Sequence, residues 1–187
     1  MMKLTPAEEL GQAFGYMTLD EVRELRRLAS CLPLHSTIVN IGAGSGTSSM
    51  AMLESSGQHT VTTIDIEGGV SPLGGIGNLN RMVNRHYPEN APRNLSITGD
   101  SKLVEWFGGD IDMIFIDGDH SYVGCKGDVE AWLPRVKTGG IVAFDDYGPG
   151  KASPVTWGDV KKVVDEMMVD HRIISVCDSL ISFEVLR

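Results

Sequence analysis

The residues best equipped for chemistry follow two short apolar runs. Asp117, Gly118, Asp119 and His120 come after Ile111–Ile116, and Asp145, Asp146 and Tyr147 come after Ile141–Phe144. Neighbouring parallel strands lie about 4.8 Å apart, so such strands would bring Asp117, Asp145 and Asp146 to one point. Carboxylates gathered there repel one another unless a cation sits among them. An all-oxygen ligand set suits Mg2+, Ca2+ or Mn2+ better than zinc. The plainer alternative is that these aspartates cap helices or sit in solvent. His120, just past Asp117, is placed to serve as a general base, since a nearby dication would keep its ring neutral. A structural or exposed histidine is the competing reading.

A second group follows an earlier apolar run, Thr37–Ile41. Gly42-Ala-Gly44-Ser-Gly46 lets backbone pass close to a ligand, and Thr47 and Ser48 open a helix whose free N–H groups suit a negative group. Alone, such a turn fits several nucleotide cofactors or merely a tight bend. Asp65 ends the next run, about 20 residues beyond Gly42, where a carboxylate can accept hydrogen bonds from ribose hydroxyls. Glu67 is a weaker candidate for the same task. Asp100 and Ser101, after Leu95–Thr98, form a polar pair able to read an adenine edge. A nicotinamide fingerprint fits poorly, because its third glycine would fall on Thr47.

Taken in order, Val39–Ser48, Thr63–Asp65, Thr98–Ser101 and Phe115–Tyr122 resemble the successive motifs of class I S-adenosylmethionine-dependent methyltransferases. The likeness is greatest to the metal-dependent O-methyltransferases of the catechol type and of the sugar and macrolide type. It runs from about Thr18 to the C-terminus. The resemblance implies that Gly42 and Gly44 pass the methionine portion of the cofactor and that Ser48 meets its carboxylate. It places Asp65 at the ribose, and Asp100 and Ser101 at the adenine. It also assigns Asp117, Asp145 and Asp146 to a divalent metal, Mg2+ foremost, and makes His120 the base. Asn40 departs from the pattern, since many relatives carry an acid there, and no role is assigned to it. A metal-independent methyltransferase and a non-catalytic cofactor-binding protein of the same fold are the alternatives.

These residues need a scaffold of alternating strands and helices. Thr18-Leu-Asp-Glu21 is a capping box, opening a helix with Val22, Leu25, Leu28 and Ala29 on one face that Pro33 stops. Strands are expected at Thr37–Ile41, Val61–Asp65, Leu95–Thr98, Ile111–Ile116 and Ile141–Phe144. Helical stripes follow at Cys125, Val129, Trp132 and Leu133, and at Val160, Val163, Val164, Met167 and Met168. Arg172–Cys177 and Leu180–Leu186 read as strands joined by a tight turn at Asp178-Ser179. The expected fold is α/β: a Rossmann-like three-layer sandwich, with a mostly parallel seven-stranded sheet and a C-terminal antiparallel hairpin. Ligands bind beyond the carboxyl ends of strands in such sheets. Residues 68–80 read as a long loop over the site, its closure coming from that loop or from a second copy in a homodimer. Tyr122, Tyr147 and Trp157 are candidate pocket walls.

Bulk properties agree with one domain over residues 1–187, since 42% of the residues are hydrophobic. A net charge of -9 disfavours nucleic acid, and no apolar run is long enough for a membrane span. The expected partner is a small hydroxylated molecule. Cys31, Cys125 and Cys177 share no metal or redox spacing and are expected to be buried thiols in a cytoplasmic protein.

Overall fold

The computed structural model describes residues 3–14, 16–66, 74–149 and 157–186. Seven strands form one sheet: β1 (Thr37–Ile41), β2 (Thr60–Asp65), β3 (Asn94–Thr98), β4 (Ile111–Ile116), β5 (Val136–Phe144), β6 (Arg172–Cys177) and β7 (Leu180–Glu184). Their order is β3-β2-β1-β4-β5-β7-β6. The first five run parallel, while β7 lies antiparallel to both β5 and β6. The chain order reverses between β1 and β4, which opens the crevice where ligands bind in such sheets.

Side chains on the central strands alternate between two cores, as the pleat demands. Ile38, Met113, Phe115 and Ala143 face one of them. Helices α1 (Pro6–Phe14), α2 (Leu19–Ser30), α3 (Thr47–Leu53) and α4 (Gly75–His86) cover that face through Leu10, Leu25, Met50 and Leu79. Val39, Ile41, Ile114, Ile116 and Phe144 face the other core, under α5 (Tyr122–Trp132) and α6 (Gly158–Met167). Burial on both faces explains why these strands read as continuous apolar runs. The fold is the expected three-layer sandwich.

Several details differ from the sequence reading. β5 begins at Val136, earlier than Ile141, because Gly139 (φ +78°) and a register shift against β4 let the extra segment join the sheet. Residues 75–80 are not loop but the start of α4, whose Leu79 and Val83 are buried one turn apart. Residues 68–73 of the expected loop, and Glu67, lie outside the described residues. The thiols are not all buried: Cys125 is, Cys177 is half-buried, and Cys31 is exposed at the C-cap of α2. Among the described residues, no helix is long and apolar enough to cross a membrane.

Candidate functional site

The glycine turn joins β1 to α3 and lies directly against the end of β4. Gly42 has φ +95°, and a Cβ there would stand 2.0 Å from the Asp117 carbonyl oxygen. Only glycine tolerates both the conformation and that approach. Gly44 also has a left-handed backbone, φ +47°, but no described atom lies within 4 Å of where its Cβ would be. The first glycine is therefore required by the protein's own packing, whereas the second faces open space. Gly46 packs on Leu79 of α4.

Asp65 ends β2 beside this turn, and its Oδ2 accepts the Ala43 N–H at 2.7 Å. That bond fixes the carboxylate at the end of β2, and among the described residues Oδ1 takes no hydrogen bond. Ser48 is buried, and its Oγ lies 3.2 Å from Asn40 Nδ2, which also donates to Gly42 O and Ser49 Oγ. Asn40 Oδ1 is enclosed and has no hydrogen-bond partner among the described residues, a feature the sequence does not show. Asp100 caps a short 3-10 turn by accepting from Lys102 N, and it pairs with the Lys102 ammonium at 2.8 Å. That contact holds its carboxyl below the usual range. Ser101 points inward, where its hydroxyl donates to the buried Asp128 of α5. Asp100 stays at the crevice, but the Ser101 hydroxyl already has a partner.

At the ends of β4 and β5 the structure gathers Asp117, His120 and Asp146, each offering a ligand atom within 4.8 Å of the others. His120 Nε2 lies 2.9 Å from Asp146 Oδ2 and 3.4 Å from Asp117 Oδ1. The nitrogen is enclosed and, among the described residues, makes no hydrogen bond. The two carboxylates offer oxygen ligands that fit a divalent cation, with the ring nitrogen beside them. Two carboxylates so near also favour imidazolium: Asp117 first, then Asp146, raises the His120 pKa to about 10. Burial pushes Asp117 upward despite the His120 contact.

Asp145 is not part of this group. It is buried, and its Oδ1 accepts from Asp146 N at 2.9 Å and lies 3.3 Å from Ser179 Oγ. Burial, then the charges of Asp117, Glu21 and Asp146, raise its pKa well above the carboxylate range. So the cluster differs from the expected Asp117–Asp145–Asp146 trio, with His120 standing where Asp145 was expected. The backbone supplies the reason. Consecutive side chains leaving a strand point to opposite sides, and Asp146, at φ +57°, turns out of the extended conformation.

Of the expected aromatic walls, Trp157 stacks on His120 with ring centroids 4.7 Å apart and planes 23° from parallel. Tyr122 and Tyr147 instead hydrogen-bond Glu166 and Asp165. Asp119 caps the approach to α5 by accepting from Ser121 N and takes no part in the cluster.

Comparison with known proteins bears on the family and the fold. Residues 39–147 match the family model described as a methyltransferase domain. An uncharacterized protein, R132, of Acanthamoeba polyphaga mimivirus is 39% identical over 57 residues, a match covering 30% of this chain and 26% of that protein. Cofactor-bound Rv0187 from MTB superposes with a TM-score of 0.75 at 16% identity, over 97% of this chain and 90% of that one. The O-methyltransferase TomG from Streptomyces achromogenes, in complex with SAM, gives 0.73 at 16% identity over 100% and 92%. The O-methyltransferase from Bacillus cereus, in complex with SAH, gives 0.72 at 16% identity over 99% and 93%. The family match spans more than half of the chain and holds the glycine turn, Asp65 and the Asp117–His120–Asp146 cluster. The protein belongs to the methyltransferase domain family and has the fold of class I S-adenosylmethionine-dependent O-methyltransferases.

Proposed function

We propose that this protein transfers the methyl group of S-adenosylmethionine to a hydroxyl oxygen of a small molecule, at a site that takes a divalent cation such as Mg2+. The observation that carries the reading is the convergence of Asp117, His120 and Asp146 directly beside the glycine turn. Cofactor and cation sites then share one wall, the Gly42–Asp117 contact. A reacting oxygen held at the cluster would face the methyl donor.

In this reading the chain's own groups divide the work. Gly44 leaves room for the methionine portion, near Ser48, and Asp65 accepts from the ribose hydroxyls with the oxygen that Ala43 leaves available. Asp100 faces the adenine, while Ser101 contributes through its place beside Asp128 rather than through a spare hydroxyl. Asp117 and Asp146 would hold the cation, and Asp145 would act from behind them. When bound, the cation lowers the pKa of an acceptor hydroxyl and fixes its position. His120, once neutral, takes the hydroxyl proton at Nε2, and Trp157 screens one face of its ring from water. Methyl transfer further needs the oxygen aligned with the carbon–sulfur bond, which holding both reactants on one wall supplies.

A net charge of -9 favours a small acceptor over nucleic acid, and a cytoplasmic enzyme of one domain fits the composition. A second, metal-independent reading draws on the ion pairs of His120 with Asp117 and Asp146. It is disfavoured because a ring that keeps its proton to about pH 10 is no base at neutral pH. The test is to offer catechol, diol and sugar acceptors with methyl-labelled S-adenosylmethionine, with Mg2+ or with a chelator. A mass gain of one methyl that needs Mg2+ supports the proposal. Equal product with chelator moves the reading to the metal-independent form, and no product from any class removes it.

A further inference from the structure

We propose that Ser179, backed by Glu21, is a positioning residue for Asp146 and so for the candidate cation site. The inference rests on the cation reading above. Asp146 is a non-glycine residue with φ +57°, a conformation that is costly for an L-residue unless its neighbours impose it. Ser179, in the turn between β6 and β7, touches the chain on both sides of it. Ser179 O accepts the Tyr147 N–H at 3.0 Å, and Ser179 Oγ, whose one proton goes to Glu21, packs 3.3 Å from Asp145 Oδ1. The Asp145 carboxylate meanwhile accepts the Asp146 N–H at 2.9 Å. The left-handed residue is bracketed, and its carboxylate is aimed at His120.

Ser179 is itself anchored. Its N–H and its hydroxyl both donate to Glu21 Oε1, at 2.8 and 2.5 Å. Glu21 is fully buried, and its other oxygen accepts from Thr18 N and Thr18 Oγ1 at 2.7 and 3.0 Å. The residue that closes the capping box of α2 thus also grips the β6–β7 turn, far away in sequence. A carboxylate buried only to cap a helix would not need a second pair of donors from another element. With them it is fully satisfied, and the N-terminal helix becomes a brace behind the cation site.

The test measures Mn2+ binding by calorimetry on the full chain, alongside thermal melting and S-adenosylhomocysteine affinity. Ser179→Ala is expected to weaken Mn2+ binding about 10- to 100-fold, the usual effect of losing a partner that orients a ligand. Its S-adenosylhomocysteine affinity should stay within about twofold, since the glycine turn is untouched. Thr18→Ala, which weakens the capping box but leaves Ser179 and Glu21 facing each other, should lower the melting temperature yet keep the Mn2+ affinity. Should Ser179→Ala fail to fold, Glu21→Gln takes its place with the same expectation. Mn2+ affinity in the Ser179 or Glu21 variant equal to wild type overturns the positioning role and leaves the cation reading intact. A loss in Thr18→Ala as large as in Ser179→Ala also overturns it, since general stability would then explain both. Wild type that binds no Mn2+ overturns the cation reading and this inference together.

Discussion

Two alanine substitutions, at Gly42 and Gly44 of the glycine turn, separate what the fold needs from what the cofactor needs. At Gly44 an added Cβ meets no described atom within 4 Å, so the cost to the fold is the left-handed backbone alone. That cost is roughly 1–2 kcal/mol for an L-residue. In a chain of this size it should lower the melting temperature by about 2–8 °C. The same methyl projects into the space assigned to the methionine portion of the cofactor. Crowding a fitted site by a methyl costs about 1–3 kcal/mol, which weakens binding about 5- to 150-fold. At Gly42 the added Cβ would stand 2.0 Å from the Asp117 carbonyl oxygen, and backbone cannot swing away as a flexible side chain can. Strain and overlap together should cost about 3–5 kcal/mol, so Gly42→Ala should melt far below wild type or fail to accumulate. Calorimetry with S-adenosylhomocysteine and a thermal melt on each variant give the readout. A Gly44→Ala protein that binds S-adenosylhomocysteine as tightly as wild type would refute the placement of the cofactor over this turn.

Asp65→Ala should weaken S-adenosylmethionine binding by roughly 1.5–3 kcal/mol, the worth of hydrogen bonds to a charged group, while the protein stays folded; equal affinity in a folded variant removes the ribose assignment. Cation binding should displace a proton from His120, since a ring with its pKa raised to about 10 is protonated at pH 7 and a ligating or basic ring must be neutral. Mn2+ titrations in buffers of different ionisation enthalpy should therefore report about one proton released in wild type and none in His120→Gln. Glu8 links stability to acid pH: burial raises its pKa, but the Arg23, Thr5 and Arg26 contacts outweigh that and bring it from 4.5 to about 2. Because the folded value is the lower one, its contribution is present above about pH 4.5 and is lost as the pH falls through 2. Arg23 is 43% exposed, so solvent limits that contribution to roughly 1–2 kcal/mol. Acid melts of Glu8→Gln against wild type should converge as the pH approaches 2, and a constant gap would contradict the assignment.

The central strands were legible because they are buried on both faces; β1 and β4 fall where the apolar runs stand, while the exposed edge strand β6 was marked by its β-branched residues and the turn that follows. The capping box at Thr18 was equally plain, since its bonds are local. Helix α4 was hidden by its glycines: Gly75 and Gly77 suggest a loop, and only the contact of Leu79 and Val83 with the core outweighs their poor propensity. At the site, position along a strand told which residues reach the carboxyl edge but not which way each side chain turns. Asp145 and Asp146 look equivalent in sequence, and the left-handed φ of Asp146 separates them. Ser179 touches the residues on either side of Asp146 and is held by Glu21, contacts that join distant segments and leave no local pattern. The partner of Ser101 was hidden for a related reason, since Asp128 lies in α5.

The central claim is that the methyl group passes to an oxygen held at the Asp117–His120–Asp146 cluster. The most direct measurement uses S-adenosylmethionine labelled with carbon-13 at the methyl group and an acceptor that the protein turns over. Carbon NMR of the product reports the atom methylated, and initial rates are taken before and after divalent cation is stripped and then restored. Expected are a methoxy signal, a rate that collapses on chelation and returns with Mg2+, and in His120→Gln a kcat about 10²- to 10⁴-fold lower. Label on nitrogen or carbon, or a rate indifferent to the chelator and to His120→Gln, would contradict it.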